Sequence, residues 1–201
     1  DRAWRRSAGG RGDAGHMNEN LANKVCLITG ATSGIGEESA KELNKMGAEI
    51  IFIARNEEKG NRLKQELQND SGREATMIIA DLSSQAEVKK AANEFLALNK
   101  PLDILLNNAG IMNRERNETV DGFEEVFSVN HLAYDTFSIL LAEKLKETKE
   151  SRVINVASGA HQFVKDMNFE DLQSEETFKP MQVYGQSKLA NILFTKSLAK
   201  K

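Results

Sequence analysis

The chain has 201 residues, 40% of them hydrophobic and 28% charged, a balance ordinary for a soluble globular protein and far from the disordered or collagenous extremes. A formal net charge of -3 offers no basic footprint for nucleic acid, and no apolar run approaches the roughly 20 residues that a membrane helix needs. One domain, a small-molecule partner and a cytoplasmic setting are the expectation, with membrane association left open.

In chain order, Asp1 to His16 hold four arginines, four glycines and an isolated Trp4 without apolar periodicity, and read as a disordered leader. The stretch lacks the apolar middle of a signal peptide, and Met17 is a plausible start of the globular part, 17–201. From Lys24 short β-branched apolar runs alternate with longer amphipathic stretches. Strands are expected near 24–29, 49–54, 75–80, 103–107 and 152–157, and helices near 34–46, 57–69, 84–99, 120–147 and 181–200. The strand centres, Val25 to Ile28 and Ile50 to Ile53, are almost wholly apolar, as in strands covered by helices on both faces. Met77, Ile78 and Ile79 read as core strand residues. The pattern predicts an α/β fold, a doubly wound parallel sheet of Rossmann type. Cys26 lies inside the first apolar run, has no partner for an internal disulfide, and reads as a small buried hydrophobe in a reducing compartment. The last helix runs to Lys201 in helical rhythm without a capping glycine, so the sheet's last strands are expected to be missing and the fifth strand to form an edge.

Thr29-Gly30-Ala31-Thr32-Ser33-Gly34-Ile35-Gly36 lies between the first strand and first helix, where a dinucleotide's pyrophosphate binds. Glycines let backbone N–H groups approach phosphate oxygens, and the helix N-terminus adds its positive end. The spacing G-x-x-x-G-x-G departs from the general G-x-G-x-x-G fingerprint. Tyr184 and Lys188 are four residues apart on one helix, so they share a face. A cation there favours the phenolate and brings the phenol's proton exchange toward working pH, although a lone pair of this kind is common on surface helices.

These features resemble the short-chain dehydrogenase/reductase family. The T-G-x-x-x-G-I-G turn matches at Thr29 to Gly36, and Asp81-Leu82, Asn107-Asn108-Ala109-Gly110, Asn130, Ser158 and Tyr184-x-x-x-Lys188 follow in order at element boundaries. His161 and the run Ser187 to Phe194 resemble the retinol dehydrogenase and WW-domain oxidoreductase branch. The resemblance implies hydride transfer between a nicotinamide and the carbonyl or alcohol of a small, lipophilic substrate, with Gly30, Thr32, Ser33, Gly34, Ile35 and Gly36 cradling the cofactor. It further implies that Asp81 and Leu82 contact adenine and that Asn108, Ala109 and Gly110 line the groove. Tyr184 would be the general acid in reduction and base in oxidation, Ser158 would hydrogen-bond the carbonyl oxygen where charge grows, Lys188 would also hold the nicotinamide ribose, and Asn130 would support a proton-relaying water. On physics alone, Asp81 could instead cap the next helix.

About 20 residues past the glycines a NAD-specific site carries an acid; here Ala54-Arg55 stands, and Arg55 can pair with a 2′-phosphate, so NADP(H) is favoured. His131 and His161 are alternative acids, but neither sits with a carboxylate in a motif, and no Cys/His cluster has metal spacing, so no metal is expected. Gln162 to Pro180, with Phe163, Met167, Phe169, Leu172 and Phe178 among acids, reads as part of a substrate wall or, equally, as a surface excursion that covers the core. A homo-oligomer is compatible with the family, and a catalytically silent dinucleotide-binding or partner-binding protein is the competing reading.

Overall fold

The computed structural model describes residues 20–200; the expected leader, Asp1 to His16, lies outside the described residues. Five strands, β1 (Val25–Thr29), β2 (Glu49–Ala54), β3 (Thr76–Ile79), β4 (Ile104–Asn107) and β5 (Arg152–Asn155), pair in parallel in the order β3-β2-β1-β4-β5. The helices are α1 (Gly34–Lys45), α2 (Glu57–Ser71), α3 (Gln85–Ala97), α4 (Glu125–Phe127), α5 (Ala133–Leu140), α6 (Ala142–Glu147) and α7 (Pro180–Leu198).

Period-two alternation divides the core into two layers. Val25 and Leu27 of β1 join Phe95 of α3 and Phe137 of α5 on one face, while Cys26 and Ile28 join Leu63 and Leu67 of α2 on the other. Helices on both faces explain why β1 and β2 read as continuous apolar runs, and the expected doubly wound Rossmann-type sheet is the observed one. Strand order reverses between β1 and β4, and a crevice opens there beyond the strands' carboxyl ends.

Two expectations need correction. Only Ile78 of the β3 run is buried; Met77 is half-buried and Ile79 is exposed, because β3 lies at the sheet edge. The predicted helix over 120–147 starts at Glu125 and is interrupted. An antiparallel bridge between Glu118 and Glu124, closed by Thr119 N–H donating to the Phe123 carbonyl at 2.8 Å, holds 119–123 as a turn. The buried Glu124 carboxylate then starts the helix by accepting from the N–H groups of Val126 at 2.9 Å and Phe127 at 2.7 Å. A π turn, Ser128–Leu132, separates α4 from α5, and a break at Leu141 separates α5 from α6. β5 forms the other edge, with Ile154 exposed. Among the described residues no helix is long and apolar enough to cross a membrane.

Candidate active site

A cleft of about 540 Å³ follows the crevice from β2 across β1 to β5. Every residue predicted from the sequence to bind cofactor or to catalyse lines it, except Gly36 and Asn130. Gly34, at φ +55°, has open space where a Cβ would project, so the turn presents bare backbone to the cleft. Ser33, at the N-cap of α1, makes no side-chain cap, whereas Asn56 and Ser84 cap α2 and α3. The first N–H groups of α1 thus remain donors for an anion, and the turn fits a pyrophosphate. Gly36 sits behind the turn, where any side chain would collide with the Gly30 carbonyl.

β4 is stitched to this turn. The Asn108 side-chain amide donates to the carbonyls of Thr29 at 3.2 Å and Gly30 at 3.1 Å, and Thr29 Oγ1 accepts from the N–H groups of Asn108 at 3.0 Å and Ala109 at 3.1 Å. At the far end Arg55 is joined by Lys59, both exposed and free of carboxylate partners among the described residues. Lys59 was not singled out in the sequence; it stands in the first turn of α2, just after the loop that carries Arg55. Asp81 lines the cleft while one carboxylate oxygen accepts from the Ser83 N–H at 2.9 Å; Ser84, not Asp81, caps α3.

At the opposite end stand Ser158, Tyr184 and Lys188. Ser158 caps a short 3₁₀ turn, Gly159–Phe163, its Oγ accepting from Ala160 N–H at 3.2 Å, which leaves the hydroxyl proton to donate elsewhere. Gly185 lets α7 close on that turn, since a Cβ there would meet the Ala160 carbonyl oxygen at 2.6 Å. Lys188 is 2% exposed, donates to the Val156 carbonyl at 3.2 Å, and lies 5.6 Å from the Tyr184 ring centroid. Burial, with no countering carboxylate, lowers its ammonium to about 8.

Asn130 sits in the π turn below the cleft. Its side chain accepts from Ile111 N–H at 2.8 Å and donates to the Ile111 carbonyl at 2.9 Å and to Ser187 Oγ at 3.1 Å. Its own carbonyl accepts from Asn191 Nδ2 at 2.9 Å. Since Nδ2 of Asn191 faces carbonyls, its Oδ1 faces His131 Nδ1 at 3.0 Å, and that nitrogen carries the proton. The His131 ring lies against Phe127 and Phe194, and burial lowers its pKa. His161 Nδ1 donates to the Ser158 carbonyl at 2.7 Å. Neither histidine lines the cleft. Among the described residues no cluster of His, Cys, Asp or Glu suits a metal ion.

An apolar recess meets the cleft at Gly110, Ile111, Ser158 and Tyr184, and its remaining wall is Met112, Ala160, Phe163 and Met181. Of the wall expected over 162–180, only Phe163 contributes; Met167, Phe169, Leu172 and Phe178 do not line it, and Phe169 is largely exposed. The excursion is tied elsewhere: Gln173 Oε1 accepts from Glu124 N–H at 2.7 Å, and the Gln173 carbonyl from Arg116 Nε at 2.9 Å. Met112 and Met181 were missed because a lone methionine carries no motif.

A family profile described as short chain dehydrogenase matches residues 24–201. The chain is 42% identical to retinol dehydrogenase 12 of Mus musculus over 185 residues, which is 92% of this chain and 58% of that protein. It is 42% identical to retinol dehydrogenase 11 of Homo sapiens over 182 residues, 90% of this chain and 57% of that protein. The chain thus spans less than two thirds of the length of these curated relatives. Among solved structures, a Pseudomonas aeruginosa RhlG/NADP active-site complex superposes with a TM-score of 0.72 at 30% identity, covering 90% of this chain and 68% of that one. A glycine-edged cleft at the sheet's reversal point, the ordered Ser158, Tyr184 and Lys188, and a profile match over nearly all described residues lead to one conclusion: the chain belongs to the short-chain dehydrogenase family.

Proposed function

We propose that this chain is an NADP(H)-dependent oxidoreductase that interconverts a carbonyl and its alcohol on a small lipophilic substrate, a retinal and retinol pair or another aldehyde or ketone. The observation that carries the reading is the position of Ser158 and Tyr184 on the boundary between the polar cleft and the apolar recess. A dinucleotide extended along the cleft and an apolar molecule in the recess would meet at these two side chains.

When bound, the nicotinamide supplies the hydride in reduction and accepts it in oxidation. The free Ser158 hydroxyl proton donates to the carbonyl oxygen, where negative charge grows. The Tyr184 phenol gives its proton to that oxygen in reduction and takes it back in oxidation. The Lys188 ammonium beside the Tyr184 ring favours the phenolate form as the proton leaves. Asn130 acts on this set through its hold on Ile111, which lines both cleft and recess. Arg55 and Lys59 supply two cations for a 2′-phosphate, in keeping with the likeness to the Pseudomonas aeruginosa RhlG/NADP complex. The apolar recess and the likeness to the retinol dehydrogenases support the lipophilic substrate.

The test is turnover of a medium-chain or retinoid aldehyde with NADPH by the parent chain and by Tyr184→Phe. Loss of the phenol should lower turnover about 100-fold or more, the usual range for a general acid, while NADPH affinity changes little. A variant that keeps most of its turnover would move the proton to another group.

A further inference from the structure

Lys188 presents an unusual seat for a cation. Its ammonium has three N–H donors, and one of them reaches the Val156 carbonyl. The groups facing it are Tyr184 from α7, the Val156 carbonyl beyond β5, and Tyr134 from α5; among the described residues no carboxylate pairs with it. Its nitrogen lies 5.7 Å from the Tyr134 ring centroid and 5.6 Å from that of Tyr184, so two aromatic faces flank it. Both are within the roughly 6 Å over which a ring's negative face attracts a cation.

The Tyr134 ring is itself held. It is 1% exposed, and its hydroxyl donates to the Ala109 carbonyl at 2.7 Å. Ala109 belongs to the segment that Thr29 Oγ1 ties to the glycine turn. One side chain thus joins the cofactor-facing turn to the lysine beside Tyr184.

We propose that Tyr134 is a positioning residue for Lys188: its ring supplies the second aromatic face that retains the buried ammonium, and its hydroxyl locks that face to the cofactor turn through Ala109. The inference rests on the reading of Lys188 as part of the catalytic set. Burial has already lowered the ammonium to about 8, so the charge is kept at neutral pH by a narrow margin and losing a ring face would shift a sizeable share of it to the neutral amine. On sequence alone an aromatic residue at helical spacing reads as core, and Tyr134 does pack there; the two roles are compatible because its face and its hydroxyl point to different partners.

The ring and the hydroxyl can be separated. In the full chain labelled with ¹³C-lysine, the Lys188 Cε resonance is identified by its loss in Lys188→Arg, and its titration is followed without substrate. Tyr134→Phe keeps the ring and should leave the midpoint unchanged. Trifluorinated phenylalanine at the same position keeps the shape but depletes the ring's negative face, and should lower the proton affinity of Lys188 about tenfold. Tyr134→Met should lower it at least as far. In parallel, Tyr134→Phe should weaken NADPH binding several-fold because the Ala109 carbonyl is released. A Lys188 midpoint that stays put with the fluorinated ring overturns the first half of the proposal, and unchanged NADPH affinity in Tyr134→Phe overturns the second. Neither outcome touches the proton-transfer role of Tyr184, which turnover alone decides.

Discussion

Two hydrogen bonds join Thr29 and Asn108, with Asn108 the donor in each: its side-chain amide donates to the Thr29 carbonyl at 3.2 Å and its backbone N–H to Thr29 Oγ1 at 3.0 Å. Thr29 Oγ1 also serves Ala109 N–H, so one buried hydroxyl at the end of β1 satisfies two backbone donors just past β4. Thr29→Val keeps the shape and orphans both donors. The expected destabilisation is about 1–3 kcal/mol for each unsatisfied group, with weaker NADPH binding because the glycine turn loses its support. Urea unfolding and fluorescence titration measure the two effects. Retained stability would mean that water or a backbone shift satisfies the pair.

Cofactor preference should reside in Arg55 and Lys59. Arg55→Asp is expected to reverse or abolish a preference for NADPH, since an acid repels a 2′-phosphate and accepts from a ribose hydroxyl. Lys59→Ala should weaken NADPH binding and leave NADH binding unchanged. Titrating both cofactors against parent and variants reads this directly, and equal parental affinities would remove the assignment.

The recess makes a separate claim about substrate. Replacing Met112 and Met181 by serine places hydroxyls on an apolar wall without touching Ser158, Tyr184 or the cleft's dinucleotide end. KM for a long-chain aldehyde should rise about tenfold for the pair, with KM for a short polar carbonyl nearly constant, since each buried methylene contributes about 0.8 kcal/mol. Parallel changes for both substrates would place the apolar contacts elsewhere.

His131 predicts a pH dependence. Burial holds its folded pKa below the ordinary value of 6.5, so below that pH the unfolded state binds more protons than the folded one. The stability associated with neutral His131 is present above about pH 6.5 and declines as pH falls toward the folded pKa. The buried Glu124 carboxyl, raised chiefly by desolvation, changes stability in the opposite direction, so the comparison must be internal. His131→Phe should flatten the loss of thermal stability between pH 7 and pH 5 relative to the parent. An identical slope in both proteins would show that His131 is not its source.

Cys26 is fully buried and its thiol is pushed up to about 12, chiefly by desolvation. Alkylation at neutral pH should therefore follow unfolding rather than thiol chemistry. The rate with iodoacetamide should rise sharply across the denaturation transition and be suppressed by NADPH, which stabilises the folded chain by mass action. Rapid labelling of the native chain would contradict the burial of β1.

The sequence by itself determined the α/β alternation, the positions of all five strands to within about two residues, and many of the residues that line the cleft, though not Lys59 or Ile111. Those features are written in local patterns: apolar runs wide enough for a two-sided sheet, glycines at the first strand-to-helix turn, and Tyr184 and Lys188 one helical turn apart. Tertiary structure decided the rest. The helix start at Glu125 depends on a bridge between Glu118 and Glu124 and on a buried carboxylate cap, while helical periodicity runs on across both the π turn and the break at Leu141. Ile79 is apolar yet exposed because β3 is an edge, which follows from strand order rather than from its neighbours in sequence. Met112 and Met181, far apart along the chain, share the wall of the recess, and Tyr134 reaches Lys188 from another helix. Such juxtapositions leave no periodic trace, because they arise from the packing of α5 and α7 across the ends of β4 and β5.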